Sequence, residues 1–299
     1  MFLPIYIFLF ILPVFTRSFN GDINKFKHST FRNYMNNNNF NKNINNNEND
    51  DIKNYFSHLL DYNLELTKKL DLKPLEIDER FVIGNTIRNT GVIRNYCFSN
   101  SYFRKVRFTY LDDNSKFQYF SLVMHPNYHY DIPIFNFEVI LYNNEKTVYT
   151  LNMVKMDKSK IYDEKYVKPF MRIKSKYPEL HENAAVKLSG YTIFGNYISE
   201  AILLGKFIHK KQDLDSTCEI YNNTVVPSFT EYIATYLEFF EKPIKIHSLD
   251  EIENIKNRHK LFDMKKAFVE SRYDIRKCFQ EDWYRSMLYD FFYELEKEE

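Results

Sequence analysis

At 299 residues the chain is long enough to bury a sizeable core, and 44% apolar against 27% charged residues excludes a disordered or fibrous protein. With 41 basic and 40 acidic side chains the formal charge is +1, so no overall field favours nucleic acid or a membrane surface. Only six glycines are present, and Gly190 and Gly195 have no partner at dinucleotide-binding spacing, which argues against a nucleotide enzyme.

Met1 to Phe15 is almost wholly apolar, interrupted by Pro4 and Pro13. It is too short for a stable membrane-spanning helix and, with Thr16-Arg17-Ser18 after it, reads as a signal-peptide hydrophobic region, residues 1–19. Residues 20–54 are asparagine-rich and carry Lys25, Lys27, Arg32 and Lys42. Such a tract buries too little apolar area to offset its ordering entropy and is expected to be disordered. Two readings stand: a polyasparagine insertion without function, or the transit half of a bipartite leader, since residues 1–50 hold five basic and three acidic groups. Residues 55–299 are then a single domain.

Tyr55 to Leu70 has helical apolar spacing, with Pro74 as a stop. Val92 to Phe98, Phe103 to Tyr110, Phe117 to Met124, Phe135 to Leu141 and Thr147 to Met153 are short aromatic or β-branched runs, most of them separated by turn residues. Connections this short impose antiparallel hairpins. Helices follow at Asp157 to Lys176, Ser228 to Phe240, Leu249 to Phe268 and Glu281 to Glu296, with Ser228 and Glu231 spaced as a capping box. The pattern predicts an α/β (α+β) fold with helices on both faces of a central antiparallel sheet. Cys97, Cys218 and Cys278 fit no zinc or redox spacing and read as free thiols.

The densest polar cluster in apolar sequence runs from Met124 to Glu138. His125 and His129 are four apart, but Pro126 and Pro133 forbid the helix that would make them a metal pair, so they are expected in a loop. Glu138 stands mid-strand, sharing a face with Asn136 and Ile140. If that face is buried, desolvation raises its pKa toward that of a proton donor; the other reading is that Glu138 lies on a solvated sheet face or pairs with a lysine.

The run Tyr130-Asp131-Ile132-Pro133-Ile134-Phe135, with Met124 and Pro126 before it and an acid three residues after, resembles the signature of the ferredoxin-dependent bilin reductases. So do Val92-Ile93-Arg94-Asn95-Tyr96-Cys97 leading to Phe103-Arg104-Lys105, Ile198-Ser199-Glu200, Phe229-Thr230-Glu231-Tyr232, and Lys277-Cys278-Phe279-Gln280-Glu281-Asp282-Trp283. Together they cover roughly residues 55–299 in order. The resemblance implies a three-layer α/β/α sandwich with a linear tetrapyrrole, biliverdin or a related bilin, between the sheet and the C-terminal helices. It also implies one-electron steps from an external plant-type [2Fe–2S] ferredoxin, no tightly bound cofactor, no metal, and protons supplied by the protein.

On this resemblance the central carboxylate, usually Asp, falls on Glu138, a family histidine on Ser121 and a family glutamate on Thr109. The C-terminal acid falls near Val269, one residue from Glu270. Propionate-binding basic positions fall near Ser189, with Lys187 two residues away, and on Glu270. The expected proton donors are Glu138 with Asp131 or His129; the expected substrate-binding residues are Ser121, Thr109, His125, Lys187 and Glu270. The alternative is a catalytically impaired tetrapyrrole-binding or scaffold protein that keeps the fold. Further expectations are a monomer that binds neither nucleic acid nor, after leader removal, a membrane, and residence in a secondary plastid. Ferredoxin is acidic, and Lys165, Lys168, Arg172, Lys174 and Lys176 on one helix would suit it, although a solvated helix face has the same composition.

Overall fold

The computed structural model describes residues 57–113, 117–142, 146–154, 162–178, 203–208, 221–271 and 274–294. The leader, Cys218 and Lys187 lie outside them. Its frame is one sheet in which β1 (Lys73–Pro74), β3 (Val92–Ser99), β4 (Phe103–Asp113), β5 (Phe117–Pro126), β6 (Ile134–Tyr142), β7 (Lys146–Val154) and β8 (Leu203–Ile208) are neighbours in that order, with β2 (Ile83–Asn85) beside β3. Every pairing is antiparallel, which the short connections require from β3 to β7. The five predicted runs are β3 to β7, each longer by one to three residues. The fold class expected from the sequence is therefore present, with β1, β2 and β8 added.

The period of two along each strand separates the faces. Val106 and Phe108 of β4, Phe120 and Leu122 of β5, and Phe137 and Val139 of β6 point to one side. There they join α1 (Ser57–Lys69), α3 (Lys168–Lys176) and α4 (Val226–Glu238) in an aromatic core. The rings of Phe137 and Phe229 lie 4.2 Å apart, and those of Phe103 and Phe240 4.4 Å apart. The Tyr236 hydroxyl donates to Pro133 O at 2.8 Å, so the large ring is buried without orphaning its oxygen. Burial of each such side chain contributes roughly 1.5–3 kcal/mol.

The opposite face is covered by α5 (Leu249–Glu270), the short α6 (Glu281–Ser286) and a π-helical turn, Met287–Phe292. Phe81 of α2 (Glu79–Val82), Ile93, Leu111, Phe279, Leu288 and Phe292 form an apolar cluster at one end. Cys97 and Cys278 are free thiols packed within or against it.

The expected capping box at Ser228 is not formed. Pro227 lies in the first turn of α4, which begins at Val226 behind a π-helical turn, Tyr221–Val225. Ser228 is buried inside the helix and donates to Val225 O, while Glu231 takes Lys176 Nζ at 2.6 Å and the Tyr177 hydroxyl at 2.9 Å. Tertiary partners have claimed the glutamate that the local motif would have used. Side-chain caps do form at Ser248, whose hydroxyl accepts from Glu251 N at the start of α5, and at Asp78, which accepts from Arg80 N.

Candidate active site

The strand positions that alternate with the aromatic core put polar groups on the second face. In register across β3, β4, β5 and β6 stand Asn95, Thr109, Ser121 and Glu138, with Arg107 and Lys105 further along β4 and His125 opposite Lys105 on β5. All are buried. Against this row α5 turns a stripe of His259, Asp263, Lys266 and Glu270, spaced four, three and four apart and equally buried. The helix is inverted: its charged stripe faces inward, whereas Leu249, Met264 and Phe268 are among its exposed residues.

At the centre Lys266 Nζ lies 2.5 Å from Glu138 Oε2 and 3.3 Å from Glu270 Oε1, and the Tyr119 hydroxyl donates to Glu138 Oε1 at 3.1 Å. The two acids diverge. Burial pushes Glu138 up, but the Lys266 ammonium foremost, with the neighbouring Glu270 carboxyl and the Tyr119 hydroxyl, outweighs it, and the carboxyl sits below its ordinary value. Burial pushes Glu270 up as well; the Glu138 charge adds to that, Lys266 and Arg107 oppose it only in part, and the group is raised to about 7. The expectation that burial would make Glu138 the acid held near neutrality is therefore corrected. A buried lysine within salt-bridge reach keeps Glu138 ionised, and Glu270 carries the proton.

Thr109 Oγ1 accepts from Arg107 Nη1 at 3.0 Å and donates to Asn95 Oδ1 at 2.7 Å. Ser121 sits between Thr109 and Glu138 in register and is fully buried. At the other end of the row the imidazole of His125 bonds Asp263 through Nε2 at 2.8 Å, and Arg104 donates to the same carboxylate at 3.2 Å. Burial raises Asp263 to about 6, against the pull of Arg104, His259 and Lys105. His125 and His259 are held well below the ordinary imidazole value by burial first and by neighbouring cations second, so both are neutral. His125 is thus a strand residue inside the row and not a loop residue, because β5 runs on to Pro126, where a strand end tolerates a missing N–H.

Two expected proton sources lie elsewhere. His129 is exposed in the turn between β5 and β6, where its N–H donates to Asn127 Oδ1 and its carbonyl accepts from Ile246 N. Asp131 is about one-third exposed, 4.0 Å from Arg258, and acts electrostatically on Lys165 and Tyr166. Neither is brought to Glu138. The lysines proposed for ferredoxin also change meaning: α3 packs on the apolar face through Phe170 and Ile173, across the sheet from the polar row. Lys168 is paired with Glu164 and Lys176 with Glu231. Among the described residues, no three His, Cys, Asp or Glu side chains converge as a metal site.

Lys266, Arg107, Lys105, Asp263 and His259 were not singled out as site residues from the sequence. The available signal was the stripe at 259, 263, 266 and 270, together with Lys105 and Arg107 at alternate positions of a strand that also holds Phe103, Phe108 and Tyr110.

A sheet bearing one polar buried face under C-terminal helices matches known proteins. The model of the ferredoxin-dependent bilin reductases matches residues 61–294. The chain belongs to that family. Among its relatives, the 15,16-dihydrobiliverdin:ferredoxin oxidoreductase of Nostoc punctiforme is 24% identical over 233 residues, 77% of this chain and 91% of the relative. The enzyme of the same name from Gloeobacter violaceus is 22% identical over the same length. The crystal structure of phytochromobilin synthase from tomato in complex with biliverdin superposes with a TM-score of 0.67 at 12% identity, covering 80% of this chain and 83% of that one. Ferredoxin-dependent bilin reductases take their electrons from an external ferredoxin. The carry-over from the resemblance thus holds at the level of family and fold.

Proposed function

We propose that the chain reduces a linear tetrapyrrole of the biliverdin type, bound between the polar face of the sheet and α5, with Glu270 as proton donor and Glu138 as the ionised partner that receives and relays protons. The observation that carries this reading is the buried Glu138–Lys266–Glu270 group, in which one acid is ionised and the other protonated near pH 7. A carboxyl group poised at working pH is what general-acid chemistry needs, and two acids with separated pKa values define donor and acceptor. Each two-electron reduction takes one electron from each of two [2Fe–2S] ferredoxins and two protons from the protein; the product is the dihydro-bilin. Positioned cations and hydroxyls hold the substrate while the electrons arrive singly. The retained acid pair and the family match favour this reading over a silent scaffold.

Purified protein should bind biliverdin with a shifted visible band and, on adding reduced ferredoxin without oxygen, convert it to a species absorbing at shorter wavelength. Binding with no conversion would reject the reductase reading and leave a binding protein.

We also propose, from leader composition alone, that the chain is delivered to a secondary plastid, where a plant-type ferredoxin would be available. Residues 1–60 fused to a fluorescent protein should reach that organelle; retention in the secretory pathway would refute it.

A further inference from the structure

Arg107 is fully buried, yet its guanidinium has few partners. Nη1 donates to Thr109, while Nε and Nη2 have no hydrogen-bond acceptor. Its plane is covered by the Phe292 ring, 3.6 Å away, and flanked by Tyr293 at 5.6 Å. Glu270 and Glu138 act on the guanidinium through space and keep it charged, but they do not fill its open donors, and a buried donor without an acceptor is costly. Two positions along β4, on the same face, Lys105 is also buried. Its ammonium donates to Phe291 O at 2.6 Å and to Glu294 Oε1 at 2.5 Å, and it lies 5.3 Å from the Phe291 ring.

The rings over this pair and both hydrogen-bond partners of Lys105 come from one short segment, Phe291–Glu294. It begins in the last residues of the π-helical turn and runs out of it, and Glu294 has φ of 48°, in the left-handed region that a non-glycine residue rarely occupies. The Glu294 side chain is 60% exposed, whereas Lys105, which it meets, is 4% exposed. A buried ammonium is therefore satisfied by a carboxylate that reaches in from the surface on strained backbone.

We infer that Lys105 and Arg107 are the carboxylate-recognising pair of the pocket, and that the strap Phe291–Glu294 occupies it in place of a ligand acid. On this inference, which rests on the tetrapyrrole reading above, a substrate carboxylate takes over the Lys105 contact held by Glu294 and supplies the open Nε and Nη2 donors of Arg107, and the Phe292 and Tyr293 rings move off the guanidinium. The exchange is one anion for another at Lys105 and a gain of charge-assisted bonds at Arg107, so an acidic ligand is preferred to a neutral one of the same shape.

The test compares biliverdin with its dimethyl ester in visible-absorption titrations of the full chain. Wild type should bind the diacid about tenfold or more tighter than the ester, the range that charged hydrogen bonds supply. Glu294→Gln weakens the competitor and should tighten the diacid by about two- to fivefold, the worth of a partly exposed pair, with the ester unchanged. Arg107→Gln should erase most of the acid preference; should that variant not fold, Glu294→Gln alone decides. Equal binding of diacid and ester to wild type, or weaker diacid binding by Glu294→Gln, would overturn the pair and strap while leaving the tetrapyrrole reading in place. Binding of neither ligand, in wild type and Glu294→Gln alike, would overturn both.

Discussion

Glu270→Gln should slow bilin reduction by about two to four orders of magnitude, the usual contribution of a positioned general acid, while the tetrapyrrole still binds. The amide matches the protonated carboxyl in shape and hydrogen bonding but has no acidic proton to give. The same substitution has a stability signature of opposite sign. Glu270 is raised to about 7 in the folded chain, above the ordinary carboxylate value, so the folded state holds a proton that the unfolded state releases between those two values. Its favourable contribution is complete below about pH 4 and lost as pH rises through 7. Below about pH 4 wild type and variant should be equally stable, and by pH 5 the variant should lead by roughly 1 kcal/mol. By pH 8 the wild type must bury a second ionised carboxylate, and the variant should be more stable by on the order of 3 kcal/mol, read from urea unfolding. An unchanged rate, or a stability difference independent of pH, would remove Glu270 from the role of donor.

Lys266→Met should cost about 3–5 kcal/mol at pH 7, because breaking a buried ion pair leaves Glu138 charged and uncompensated. The penalty should shrink at pH 5. Without the ammonium, burial raises Glu138, the folded state gains a proton that the unfolded state binds less tightly, and acid relieves the repulsion with Glu270. Lys266→Arg keeps the charge and should recover part of the loss. A deficit below about 1 kcal/mol, or one that grows on acidification, would mean the three groups do not act as a unit.

The part of the fold that could be read from the chain is the part governed by short-range rules. β3 to β7 announce themselves as aromatic and β-branched runs between Asn, Asp and Ser turns, and antiparallel pairing then follows from loop length. β8 escaped because Leu203–Ile208 has no turn residues to delimit it, and its partner β7 is set by tertiary pairing. Ser228 and Glu231 satisfied a local motif, but Lys176 and Tyr177, distant in sequence, hold the glutamate. Glu138 stood out because a charge in mid-strand is conspicuous. His259, Asp263, Lys266 and Glu270 did not, since a charged stripe on a helix ordinarily faces water, and only the packing of α5 reveals that this one faces the sheet. For the same reason the sign of the Glu138 shift was out of reach: it depends on a lysine 128 residues away.

The central strands carry two unrelated instructions in alternate letters. On β4, Val106 and Phe108 are written for packing, and Arg107 and Thr109 for chemistry; on β5 and β6 the pairs are Phe120 with Ser121 and Phe137 with Glu138. Because successive side chains never share a face, the reactive alphabet can be rewritten letter by letter while the packing text stays whole. One scaffold can thus explore many proton-transfer arrangements with little loss of foldability.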